Sequence, residues 1–178
     1  FHPRGSLTVR TLKISEGRVE LDGRTVFSSD AGFDAFIREA FKSRGSANMK
    51  FYKMDSACKL AYVAAEWILD GIEFGEEECA VLMSGRYGSL DTDMNHQSII
   101  DRDGDDYAAP SVFVYTLPNV AAAEISIRHH IKGENIWFSD TPMAELRHQA
   151  ELASARESLN YCLVGRSDFI NGEYLAIF

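Results

Sequence analysis

Apolar residues recur along this chain with two periods, and each period predicts a different element. From Thr8 to Ile14, Val and Leu alternate with Thr, Arg and Lys, the period of two expected of a half-buried strand. Glu16-Gly17 and Asp22-Gly23 are turn signals, so Thr8–Phe27 reads as short strands or a hairpin. Phe33, Phe36, Ile37 and Phe41 then fall at helical spacing within Asp30–Lys42, with Ser29 or Asp30 available as N-cap. Asp55–Leu69 carries the clearest helical pattern: Leu60, Val63, Ala64, Trp67 and Ile68 share one face, behind a capping Asp55.

Glu77–Ser84 predicts a buried strand, an apolar run entered through an acidic turn and ended by Gly85 and Gly88. Leu90–Ala109 is polar and acidic and predicts a helix fragment followed by a surface loop. Ser111–Thr116 reads as extended, broken by Leu117-Pro118. A helix over Asn119–Ile131, a strand over Asn135–Ser139, a helix over Pro142–Leu159 and a strand over Tyr161–Val164 complete the pattern, and Glu173–Phe178 offers a further strand. Alternating strands and helices from residue 55 onward predict an α/β fold, a mainly parallel sheet with covering helices, in one domain spanning 1–178.

Charge and composition narrow the function classes. A net charge of −9 disfavours nucleic acid or an anionic membrane surface as partner. No stretch reaches the ~20 apolar residues of a membrane span, and Phe1–Ser6 carries no signal-peptide pattern. Cys58, Cys79 and Cys162 are odd in number and widely spaced, neither a disulfide framework nor a zinc site, so a cytoplasmic, reduced protein is expected.

Candidate metal and catalytic motifs are weak. A calcium loop starting at Asp101 would place Asp106 where the turn glycine belongs and Val112 where the bidentate ligand belongs. His129 and His130 are adjacent on one helix and point ~100° apart, with no ligand partner at chelating spacing; His96 and His148 lie on other elements. Gly85-Arg86-Tyr87-Gly88 matches no phosphate-binding signature and reads as a tight turn. Ser139-Asp140-Thr141-Pro142 joins a strand to a helix, a place where enzymes expose nucleophiles. It offers hydroxyls without an evident base, which favours capping over catalysis. No cofactor is called for.

Three segments, in order, resemble the N-terminal half of the β-ketoacyl (3-oxoacyl-ACP) synthase family. Lys53-Met54-Asp55 precedes an Ala-rich helix, Cys79–Gly88 resembles a strand and glycine turn of the family, and Pro118-Asn119 through Ile127 followed by Lys132–Ile136 resembles its Pro-Asn helix and glycine turn. The resemblance spans roughly residues 50–166 and implies a thiolase-like fold of which this chain supplies one half. The family's catalytic Cys would fall near Thr141 or Pro142 and is absent there, and its two catalytic histidines lie in a second half that 178 residues are too few to hold. A thiolate must carry the acyl chain while imidazoles assist decarboxylation and stabilise the oxyanion. The resemblance therefore implies a catalytically deficient, chain-length-factor-like protein. Its partner would be a full-length ketosynthase, or a second copy of itself, with acyl-carrier protein as a further candidate. Trp137, Phe138, Ser139, Thr141 and Met143 become candidates for a partner interface or acyl tunnel. Two other readings stay open: a stand-alone acyl-chain or acyl-carrier binding module, and a divergent enzyme using Ser139 or Thr141.

Overall fold

The structure is a computed structural model that describes residues 9–104, 110–157 and 159–178. Seven strands form one sheet in the order β3-β2-β1-β7-β6-β4-β5. They are β1 (Leu12–Ser15), β2 (Arg18–Leu21), β3 (Arg24–Ser28), β4 (Cys79–Gly85), β5 (Asn135–Ser139), β6 (Tyr161–Ile170) and β7 (Glu173–Ile177). Among the described residues six α-helices accompany them: α1 (Phe33–Ser43), α2 (Ser56–Ile68), α3 (Leu90–Asp103), α4 (Pro110–Phe113), α5 (Val120–His129) and α6 (Met143–Glu157).

The mixed α/β class holds, but the direction of the strands is corrected. Only β4 pairs in parallel, with β5 on one side and β6 on the other. The β1-β2, β2-β3, β1-β7 and β6-β7 pairings are antiparallel. The reason lies in the connections. Helices return the chain from β4 to β5 and from β5 to β6, whereas Asn171-Gly172 turns β6 straight back into β7, with both residues at positive φ. The expected Tyr161–Val164 strand runs on to Ile170, and Glu173–Ile177 is its hairpin partner.

Three further expectations are corrected. Ser111–Thr116 is helical, as α4 and a 3-10 turn over Val114–Thr116, because Pro110 sits at the first position of α4, where its missing N–H costs nothing. The polar segment after Leu90 is a helix of 14 residues rather than a fragment; the loop expected beyond it, with Asp105 and Asp106 of the calcium motif, lies outside the described residues. The N-cap of α1 is Gly32, not Ser29 or Asp30. Asp55 does cap α2, accepting a 2.8 Å hydrogen bond from the Cys58 N–H.

The sheet separates two cores. On one face Cys79, Val81 and Met83 of β4 share a core with α1, α2 and α5; Phe36, Phe41, Phe51, Tyr62 and Ile125 are the large side chains there. Ten of the 13 residues of α2 are buried, so the single apolar face read from its sequence is in fact a helix enclosed on nearly all sides. On the other face Ala80 and Leu82 of β4 meet Ala150 and Ala153 of α6. The outer face of α6 is charged: Glu145, Arg147, His148 and Glu151 are exposed.

Enclosing α2 buries a carboxylate. Glu66 is 8% exposed and accepts from Arg128 at 2.8 Å, with Ser46 and His129 also against it. Burial alone would raise its pKa, but hydrogen bonds from His129, Arg128 and Ser46 outweigh burial and hold it down at about 2, against an ordinary 4.5. A depressed carboxyl pKa contributes stability that is full above pH 4.5 and is lost as pH falls towards 2. Glu66→Gln is therefore expected to melt well below wild type at pH 6. The gap should narrow steadily in thermal melts taken between pH 4.5 and 2.5, and a gap constant with pH would contradict the assignment.

Candidate functional site

Strand β5 is an edge strand, paired to β4 from Val81–Asn135 through Gly85–Ser139. The Val81 N–H donates to the Glu134 carbonyl at 2.8 Å, and the Asp140 N–H to the Gly85 carbonyl at 3.0 Å. In a parallel ladder alternate residues bond to the same neighbour. Even-numbered residues of β5 thus turn their backbone groups to β4, and Asn135, Trp137 and Ser139 turn theirs to the open edge. The side chains alternate as well. Trp137 packs on the α2 and α5 core, Phe138 on the α6 core, and Ser139 is exposed.

The sequence-derived candidates are thus contiguous along one edge and around its turn, but they do not share one pocket. Trp137 and Phe138 face opposite sides of the sheet, while Thr141 and Met143 are half-buried at the head of α6. Behind Trp137 lies a cavity of about 20 Å³, bordered by Cys58, Tyr115, Leu117 and Ser167. That holds about one water molecule. The Ser167 hydroxyl there is buried without a protein partner, and burial pushes the Tyr115 phenol up to about 12.

The turn from β5 into α6 is a sharp strand-to-helix elbow. Its left-handed residue is Asp140, at φ 44°, ahead of Thr141 and Pro142. Four polar residues fix it. Ser84, fully buried on β4, accepts from the Thr141 N–H at 2.7 Å, and Arg166 on β6 donates to the Thr141 carbonyl at 3.0 Å. The same guanidinium is paired with the Asp140 carboxylate and lies 3.6 Å from that of Asp168. Asp168 in turn accepts from the Arg86 and Tyr87 N–H groups at 2.6 and 3.0 Å, which closes the Gly85–Gly88 turn. The chain packs tightly at this junction, since a Cβ on Gly85 would stand 2.5 Å from the Ser167 carbonyl oxygen and 3.1 Å from the Trp137 ring.

Sequence reasoning missed Arg166 and Asp168 because it ended the last core strand at Val164, before the charged residues, and missed Ser84 because it reads as one more member of a buried strand. The signal was present: in β6 Leu163, Gly165, Ser167 and Phe169 are buried and Arg166 and Asp168 alternate with them. Chemically, the elbow is an ion-paired turn. The Thr141 hydroxyl donates to the Ser139 carbonyl at 3.2 Å, and the charged group bonded to Thr141 is a guanidinium, which cannot serve as a base. None of the three cysteines lies here; Cys58 and Cys79 are buried, and burial raises the thiol pKa of all three. Among the described residues no cluster of three His, Cys, Asp or Glu could hold a metal ion, and no helix is long and apolar enough to cross a membrane.

Solved structures with this architecture supply the remaining comparison. One, described as the ishigamide ketosynthase/chain length factor, superposes with a TM-score of 0.67 at 16% identity, over 92% of this chain and 52% of that one. A second is a ketosynthase (ApeO) in complex with its chain length factor (ApeC) from Xenorhabdus doucetiae, with a TM-score of 0.59 at 11% identity, over 95% of this chain and 75% of that one. The fold is that of ketosynthase and chain length factor chains. This is the thiolase-like architecture that the three sequence segments implied, and the chain spans about half the length of the first neighbour. No protein-family model and no curated relative matches the sequence.

Two outcomes are expected. Gly85→Ala should destabilise the fold by about 1–3 kcal/mol in chemical denaturation, because backbone cannot yield as a flexible side chain would. Incubation with a reactive acyl thioester should leave Ser139 and Thr141 unmodified in peptide mass spectra; acylation at either would revive the divergent-enzyme reading.

Proposed function

We propose that this chain is a catalytically deficient, chain-length-factor-type partner of an active β-ketoacyl synthase, working in polyketide, aryl-polyene or fatty-acid assembly, and that it docks through the free edge of β5. The observation that carries the reading is the contrast between the two ends of the sheet. The far edge, β3, is guarded: its pairing with β2 is interrupted by an irregularity at Val19/Glu20, and it opens with the exposed Arg24. Such features prevent strand addition. The β5 edge, Asn-Ile-Trp-Phe-Ser, has no charge, proline or bulge, and offers the outward N–H and carbonyl of Trp137 and the N–H of Ser139. An apolar edge of that kind is a template for a partner strand. The likeness to chains from ketosynthase and chain length factor structures supports a ketosynthase as that partner.

In this reading Trp137 and Phe138 anchor the docked strand from the two sheet faces, and Ser139, Thr141 and Met143 border it. The cavity of about 20 Å³ behind Trp137 is too small for an acyl chain, so in this reading an acyl tunnel at Trp137 forms between the two proteins. The assembly is read as soluble and cytoplasmic.

A second reading, an acyl-chain or acyl-carrier binding module, rests on a different place. An open groove of about 410 Å³ runs past Phe33, Arg38 and Phe169. It predicts binding of a fatty acyl probe by the chain alone.

The test is capture from native cells. The wild-type chain should retain a ketosynthase, identified by mass spectrometry, in equal amount. Ser139→Lys, at an exposed position, should leave the melting temperature within a degree or two and lower that capture at least tenfold. Recovery of the chain alone at every salt concentration, together with acyl-probe binding, would replace the first reading by the second.

A further inference from the structure

Resting on the docking reading, the geometry points to Arg166 as the positioning residue of the interface, although it lies two strands away from the edge. Arg166 pairs across the sheet with Ser84, and Ser84 with Phe138, so the three form one row over β6, β4 and β5. Their side chains share the α6 face, as their alternation with the buried members of the two cores shows. From this row two groups hold the Thr141 peptide units at both ends: the Ser84 hydroxyl takes the N–H and Arg166 supplies the carbonyl's donor. The guanidinium also holds Asp140, whose side chain is otherwise 56% exposed and whose backbone sits in the left-handed region. A non-glycine residue there needs such support.

The consequence is mechanical. β5 is held along one side only, and its C-terminal end must enter α6 within three residues. Without the clamp, the Ser139–Met143 segment would sample other turns, and a partner strand would have to order it on binding, which weakens association. Arg suits this task where Lys does not, since a planar fork can reach a carboxylate and a carbonyl at once. Asp168 fixes the fork from the third side and ties it to the turn after β4, so the ends of β4, β5 and β6 move as one unit.

The experiment combines hydrogen exchange with capture, using the full chain and the ketosynthase that co-purifies with it. In Arg166→Met the amides of Asp140 and Thr141, hydrogen-bonded to the Gly85 carbonyl and the Ser84 hydroxyl, should exchange at least tenfold faster, while α2 and the middle of β4 keep wild-type protection. Ketosynthase capture should fall at least tenfold, and Arg166→Lys should be intermediate in both. Asp140→Asn, at an exposed site, loses only the ion pair and should shift both readouts in the same direction by a smaller factor, which keeps the test open if Arg166→Met folds poorly. Unchanged exchange at Asp140 and Thr141 would overturn the clamp. Faster exchange with undiminished capture would overturn its role in docking. Failure of the wild-type chain to retain any ketosynthase would overturn the functional reading instead, and the exchange data would still judge the clamp.

Discussion

The sheet depends on β4, whose seven residues are all buried and whose two neighbours are both parallel to it. A strand covered on both faces must satisfy every backbone group through its ladders, since no water reaches it. The crossovers through α5 and α6 follow from that requirement, because parallel neighbours cannot be joined by tight turns. Small residues complete it. Ala80 lets α6 approach through Ala150 and Ala153, and Gly85 lets the β6 backbone and the Trp137 ring close over the strand end.

The same constraint makes the open edge. β4 is saturated by β5 and β6, so β5 becomes the last strand, and no strand of the described fold pairs its outer side. At the other end of the sheet the antiparallel meander β1-β2-β3 finishes in an irregular, partly charged edge. One sheet thus carries one blunted edge and one open edge. The charged outer face of α6 marks a second asymmetry: the helix buries a stripe of alanine and leucine and offers solvent Glu145, Arg147, His148 and Glu151.

Much of this was legible in residue order, and what was not has physical reasons. The helix after Asp55, the buried run before Gly85 and the strand–turn–helix at 135–143 declare themselves through caps, periodicity and turn chemistry. Strand direction does not: periodicity carries no sign, and a short turn such as Asn171-Gly172 decides between hairpin and crossover. The helical state of Pro110–Thr116 was hidden because Val, Phe, Val and Tyr favour strands unless tertiary packing overrides them. The candidate site was found as a contiguous stretch, Trp137 to Met143, while its supports escaped. Ser84, Arg166 and Asp168 lie 57, 25 and 82 residues from the groups they hold, and only the sheet register brings them together.

The central claim is that the open side of β5 is covered by a strand of a ketosynthase, and the amides of Trp137 and Ser139 report on it most directly. Their hydrogen exchange should be measured in the isolated chain and again in the purified complex. The account predicts rapid exchange in the first state and strong protection in the second, confined on this sheet to the β5 edge. Equal exchange in the two states, or protection that appears at β3 instead, would contradict it.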